Sequence, residues 1–253
     1  MSTAARSAVS FGHVVVIGGG CYGSWYTQQL TRAAEHGALL VDRVTVIDRD
    51  AGCRVAQRHA EGAYAALPLV VVTAEWDAWL ADWLDHSEPA ERAGDAIVPS
   101  PLMPHLLLDW LIRGAQRRWP ARSVTVEPLR VPTAMPWQRA APDGRHYVSF
   151  AEWMCPVNCI EPARCPATRG ARDWSMPPAL TAYVEAERAA GQALGGPIIF
   201  HCSHRVWGVG MIDVDAVVQA DRVVAEAGHQ GEMRLLVGTV SHCHGALGVL
   251  HVR

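Results

Sequence analysis

A chain of 253 residues, half of them hydrophobic, is long enough for one large domain or two modest ones with full cores. A net charge of −3 removes the electrostatic footprint expected of a nucleic-acid or anionic-membrane binder, and no apolar run reaches the roughly 18 residues of a membrane span. The opening Met1-Ser-Thr-Ala-Ala-Arg-Ser7 lacks the apolar core of a secretory signal, which predicts a cytoplasmic protein.

In chain order, His13-Val-Val-Val-Ile17 is a β-branched run of the kind that forms a buried parallel strand. Glycines follow at once, and residues 24–36 carry helical spacing through Trp25, Leu30 and Ala34. Val44-Thr-Val-Ile47 predicts a second strand, residues 51–61 a helix, and Leu67–Val72 a third strand. Trp76, Trp79 and Trp83 fall at i, i+3 and i+7 of a helix over about 75–85 and read as its core stripe. A strand at Asp95–Val98, a helix at His105–Arg117 and a strand at Val124–Val126 come next. Prolines at 132–142 mark a boundary, residues 151–178 read as a long ordered loop, 179–193 as helix and Pro197–Phe200 as strand. Strands alternating with helices predict a doubly wound parallel α/β sheet, with a dinucleotide-type part over 1–130 and a Cys/His-rich metal-binding part over 131–253. Two Cys/His clusters, each followed by a Gly-Val step, leave a duplicated strand–turn unit or coincidence as readings: His201-Cys202-Ser203-His204 and His242-Cys243-His244.

Gly18-Gly19-Gly20-Cys21-Tyr22-Gly23 satisfies G-x-G-x-x-G after a strand and before a helix, with Asp48 ending the next strand. Gly18 would make the tight turn, Gly20 would admit a pyrophosphate to the backbone, and Gly23 would let helix and strand approach. The helix N-terminus would supply N–H groups to phosphate, and Asp48 would accept from an adenosine ribose. Asp48 stands 30 residues beyond Gly18, and the insertion His36–Asp42 accounts for the excess over the usual spacing.

On these residues, 12 to about 100 resembles a Rossmann-type NAD-binding domain, of the sort found in dehydrogenases and in nucleotide-sensing regulators of potassium transport. The resemblance implies NAD as cofactor. Arg49 weakens the preference over NADP, and FAD or S-adenosylmethionine would suit a similar turn.

Seven cysteines in a cytoplasmic chain read as reduced thiols or metal ligands, and five of them follow residue 150. Cys21 and Cys53 read as packing residues. Cys155, Cys159 and Cys165 lie in a loop stiffened by Pro156 and Pro166, which suits a soft metal. The loop loosely resembles an iron–sulfur or zinc ligand loop but departs from both in spacing. Cys202 is the first choice for fourth ligand and Cys243 the second, with His201, His204, His242 and His244 as competing donors. A nearby dinucleotide favours an iron–sulfur cluster (4Fe-4S) over structural zinc, since a hydride carrier and a one-electron centre make a useful pair. A loop with no metal, three reduced cysteines open to oxidation, ranks last, with a redox-active disulfide as its functional variant. Trp153 and Trp174 bracket the loop as shields, while Arg164, Arg169 and Arg172 read as surface charge or as counter-charge to thiolates.

These readings predict an NAD-linked oxidoreductase passing electrons between nicotinamide and a cysteine-ligated cluster or its substrate, with His204 or His244 moving a proton. The alternative is an NAD-sensing regulator with structural zinc or a redox-sensing metal and no turnover; a third reading is a metal carrier. Expected partners are the dinucleotide and a small molecule or redox protein, with homodimerisation through the Trp-rich helix.

Overall fold

The computed structural model describes residues 8–86, 94–130, 132–153 and 155–253, so the N-terminal segment read for targeting lies outside it. The chain is a mixed α/β protein that divides into two compact units, Met1–Met103 with His204–Asp215, and Pro104–Ser203 with Ala216–Arg253. Among the described residues no helix is long and apolar enough to cross a membrane.

The first unit contains β1 (Val9–Ile17), α1 (Cys21–Glu35), β2 (Leu39–Asp48), α2 (Arg54–Ala60), β3 (Leu69–Thr73), α3 (Trp76–His86) and β4 (Ala96–Val98). Strands β3, β2, β1 and β4 lie side by side in that order, all parallel. Continuous burial of Val14–Ile17 and Val44–Asp48 explains why both central strands are uninterrupted apolar runs. Residues Leu39–Asp42, expected as an insertion, instead lengthen β2 and pair with β1 from Val9 onward.

Helix α1 buries Ser24, Thr27 and Thr31 beside Leu30 and Ala33. Thr27 Oγ1 donates to Gly23 O and Thr31 Oγ1 to Thr27 O, both at 2.8 Å, so these hydroxyls enter the core satisfied. On α3 the buried residues are Leu80 and Leu84. The expected tryptophan stripe is only half-buried, with Trp79 stacked on Trp83 and Trp83 edge-on to His13.

The second unit carries α4 (Leu106–Arg118), β5 (Val124–Glu127), β6 (Trp137–Ala140), β7 (His146–Ser149), α5 (Met176–Ala189) and β8 (Gly195–His201). The chain then returns to the first unit with β9 (Ser203–Val206) and β10 (Val209–Asp213), before α6 (Val214–His229), β11 (Met233–Val240) and β12 (His244–Val252). Strands β10 and β9 complete the first sheet, β10 running antiparallel to β4. The second sheet has the order β6-β7-β12-β11-β8. The first half of β12 pairs with β7 and its second half with β5. A core of Met176, Leu180 and Val184 from α5 with Leu236, Val240, Leu247 and Val249 fills one face.

The single doubly wound parallel sheet predicted above is therefore replaced by two mixed sheets. The physical reason is the length of the connections. Trp207-Gly208, both at positive φ, is a two-residue hairpin turn between β9 and β10, and Ser241–Cys243 joins β11 to β12; both are too short for a parallel crossover. The apparent repeat is coincidental, since His204–Ile212 spans a hairpin of the first sheet and His244–His251 a single strand of the second.

His13 connects this packing to pH. Burial, helped by Arg43, lowers its pKa from 6.5 to about 4, and its Nε2 lies 2.8 Å from Thr45 Oγ1. Between those two values the unfolded chain takes up a proton that the folded histidine refuses, so stability present above 6.5 is lost as pH falls through the window. Melting temperatures measured across that window should fall, and fall less for His13→Gln.

Candidate functional site

Two constellations hold the residues singled out by sequence. In the first unit, Gly18 turns with φ +88 and donates its N–H to Ile47 O at 2.8 Å. A Cβ on Gly23 would stand 1.7 Å from Gly18 O, so helix and turn touch at a point where only glycine fits. A Cβ on Gly20 would meet nothing within 4 Å, and α1 starts there without a side-chain cap. The turn is thus closed on its inner side and open at Gly20.

Asp48 is buried, and its carboxylate accepts the N–H of Gly19 (2.6 Å) and of Asp50 (2.9 Å). It therefore shapes the turn itself, a role the spacing did not reveal. Cys53 caps α2 over Gly19, where an added Cβ would lie 2.4 Å from its sulfur. Trp76 lies beside Gly18, its ring 3.5 Å from an added Cβ, and its buried indole N–H has no hydrogen-bond partner among the described residues. The guanidinium of Arg49 sits 5.9 Å from that ring's centroid.

In the second unit the cysteine loop is organised around Glu161, which sequence reading passed over. Its backbone has φ +49, and its buried carboxylate accepts Ser241 Oγ at 2.6 Å and the N–H groups of His242 and Cys243 at 3.0 Å each. An acid placed between Cys159 and Cys165, with a Ser-His-Cys-His turn elsewhere, was the available signal. Its charge also acts on Cys155, Cys202, Cys243 and His244. Burial pushes Cys202 and Cys243 up to about 12, Glu161 adding to both. Burial likewise raises Cys155, with the charges of Cys159, Cys165 and Glu161 adding.

Cys165 behaves oppositely. Hydrogen bonds from the backbone and hydroxyl of Thr168 and the backbone of Ala167, with Arg172 nearby, hold its thiol below the ordinary value. It sits in a small knuckle in which its N–H reaches Gly170 O and the Arg172 N–H reaches Ala163 O. Arg172 also donates to Pro162 O and Trp174 O, so it braces the loop.

Of the four candidate histidines, His201 and His242 come together. The His242 ring meets His201 at 4.8 Å between centroids, and its Nδ1 is 2.7 Å from Ser175 Oγ. His244 Nδ1 is 2.9 Å from Ser149 Oγ, and burial lowers its pKa, against the charge of Glu161. His242 and His244 do not share a strand face, because the turn ends between them and β12 starts at His244. His204 lies on β9 in the first unit and His244 in the second. The thiols Cys155, Cys159, Cys165 and Cys202 all belong to the second unit, but among the described residues no three His, Cys, Asp or Glu side chains stand close enough to hold a metal ion.

Residues 105–253 match the model of AF_1314_C, described as an uncharacterized protein, C-terminal domain. The chain belongs to this family. All five clustered cysteines, Glu161 and the Ser241–His244 turn fall inside the AF_1314_C region, whereas the glycine turn precedes it. No curated protein and no solved structure matches the chain.

Proposed function

We propose that the chain is an NAD-linked oxidoreductase: a Rossmann-like first unit holds the dinucleotide, and the second unit carries a cysteine-ligated iron–sulfur or zinc site. The observation that carries the reading is the open position above Gly20, on a turn closed elsewhere by Gly18 and Gly23. A pyrophosphate could approach the backbone there and meet the first N–H groups of α1. Parallel strands in the order β3-β2-β1-β4 place that turn at the carboxyl end of a central strand, where such sheets take ligands. Asp48 retains lone pairs for a ribose hydroxyl while holding the turn. The unpartnered Trp76 N–H offers a ligand oxygen a donor already stripped of water.

When bound, the nicotinamide would supply hydride transfer. His244, hydrogen-bonded to Ser149, could take or release a proton, as His204 could in the first unit. Cys155, Cys159, Cys165 and Cys202 supply the soft donors in this reading. Loading would have to draw them inward, because they do not yet converge.

Protein isolated without oxygen should show a broad thiolate-to-iron absorption and contain iron and sulfide, and that absorption should bleach on adding NADH. A colourless chain with stoichiometric zinc would instead favour the regulator without turnover. With neither metal present, the second half of the proposal fails.

A further inference from the structure

The Ser241–His244 turn of the second unit carries two serine–histidine pairs, and hydrogen-bond accounting separates them. The Ser149 hydroxyl donates to Ala151 O at 2.7 Å and accepts the Ala151 N–H at 2.8 Å. Its hydrogen is committed, so His244 Nδ1–H donates to Ser149 Oγ. Ser175 is placed differently. Its Oγ lies 2.7 Å from His242 Nδ1 and has no other hydrogen-bond partner among the described residues. The hydroxyl hydrogen has one acceptor in reach, and Ser175 donates it to His242.

The local sequence explains why this hydroxyl is available. Ser175 is the N-cap of α5, where a serine oxygen ordinarily accepts the N–H of the second or third helical residue. In Ser175-Met176-Pro177-Pro178 both of those residues are prolines and have no N–H. The first helical N–H, that of Met176, donates to His242 O at 3.0 Å. The prolines therefore release the serine side chain from capping and leave it to the imidazole. His242 is held from its other side as well, since its own N–H donates to Glu161 Oε2 at 3.0 Å. Both Ser175 and His242 are half-buried, within reach of solvent. Arg172 donates to the carbonyl of Trp174, the residue before Ser175, at 3.2 Å and so brings a cation to this end of the helix.

We propose that Ser175 and His242 form a nucleophile–base pair for acyl transfer, acting on carboxylic esters. This activity needs neither the dinucleotide nor a metal. Ser175 Oγ attacks the ester carbonyl carbon while its proton passes to His242 Nδ1. The bond from that carbon to the alcohol oxygen breaks, and His242 returns the proton to the departing oxygen. Water then repeats the sequence on the acyl-serine, releasing the acid and restoring the hydroxyl. Arg172 supplies positive charge for the oxyanion formed in each half.

The test is incubation of the full reduced chain with an alkyl fluorophosphonate, which is selective for activated serines, and mapping of the adduct by mass spectrometry. The adduct should form on Ser175 with loss of fluoride and be absent from Ser175→Ala. It should form at least about a hundredfold more slowly in His242→Gln, the share typical of a general base. Should His242→Gln fail to fold, a Pro177→Ala/Pro178→Ala variant keeps the pair and returns both capping N–H groups. Their competition for the hydroxyl should slow labelling about tenfold. Wild type should also hydrolyse p-nitrophenyl acetate at least about tenfold faster than Ser175→Ala. No adduct, an adduct on Ser149 or another serine, or a wild-type labelling rate in the folded variants would overturn the pair. Labelling of Ser175 without ester turnover would overturn the assigned substrate class.

Discussion

Gly23→Ala should destabilise the first unit by about 3 kcal/mol or more, the upper end of what an overpacked position costs. The new Cβ would lie 1.7 Å from Gly18 O and 2.8 Å from Gly18 C. Both are backbone atoms, so no side-chain rotation relieves the overlap. The turn itself is pinned by Gly18 N–H to Ile47 O and by Asp48 to Gly19 N–H, so moving it would disturb β1 and β2 together. Denaturant unfolding should show a lower midpoint, and the dinucleotide binding proposed above should be absent from this variant. Gly20→Ala is the instructive contrast. With nothing within 4 Å of its Cβ, it should change stability by less than about 1 kcal/mol, the difference between glycine and alanine at a helix cap.

Glu161→Gln should cost the second unit about 2–3 kcal/mol, the range for hydrogen bonds to a buried charge plus a donor left unsatisfied. The carboxylate accepts Ser241 Oγ and Cys243 N–H on one oxygen and His242 N–H on the other. An amide replaces one acceptor by an NH₂ group that must point at a donor. The left-handed backbone at residue 161, φ +49, would lose the contact that holds it. In a domain of this size the melting temperature should drop by roughly 5–10 °C. Ser241→Ala removes one of the three bonds to the carboxylate together with the acceptor of the Cys243 and His244 N–H groups, both at 3.2 Å, and should cost about 1–2 kcal/mol. Equal melting temperatures for Glu161→Gln and wild type would show that this carboxylate does not clamp the loop.

Much of the first unit was legible in sequence because its signals are local. Val14–Ile17 and Val44–Ile47 are buried on both faces and so read as unbroken β-branched runs, and the glycine spacing records a steric requirement at Gly18 and Gly23. The stripe of α1 was less visible, because threonines that hydrogen-bond to the preceding turn carry no hydropathy signal. The second unit depends on long-range pairing. Strands β6 and β7 lie in or beyond a proline-rich stretch, and β6 is largely exposed, so neither alternation nor a continuous apolar run announced them. Cys155, Cys159 and Cys165 could be picked out by their prolines. Their link to Ser241–Cys243 could not, since it runs through Glu161 across about 80 residues of chain.

The central claim is that the open position at Gly20 receives a dinucleotide. NADH titrated into the full chain, read by quenching of tryptophan fluorescence with Trp76 beside the turn, tests it most directly. Saturable binding in the wild type, weakened at least about tenfold (roughly 1.4 kcal/mol) in a Gly20→Ala variant that melts like the wild type, is the expected result. No binding in the wild type, or equal binding in a folded Gly20→Ala variant, would contradict it.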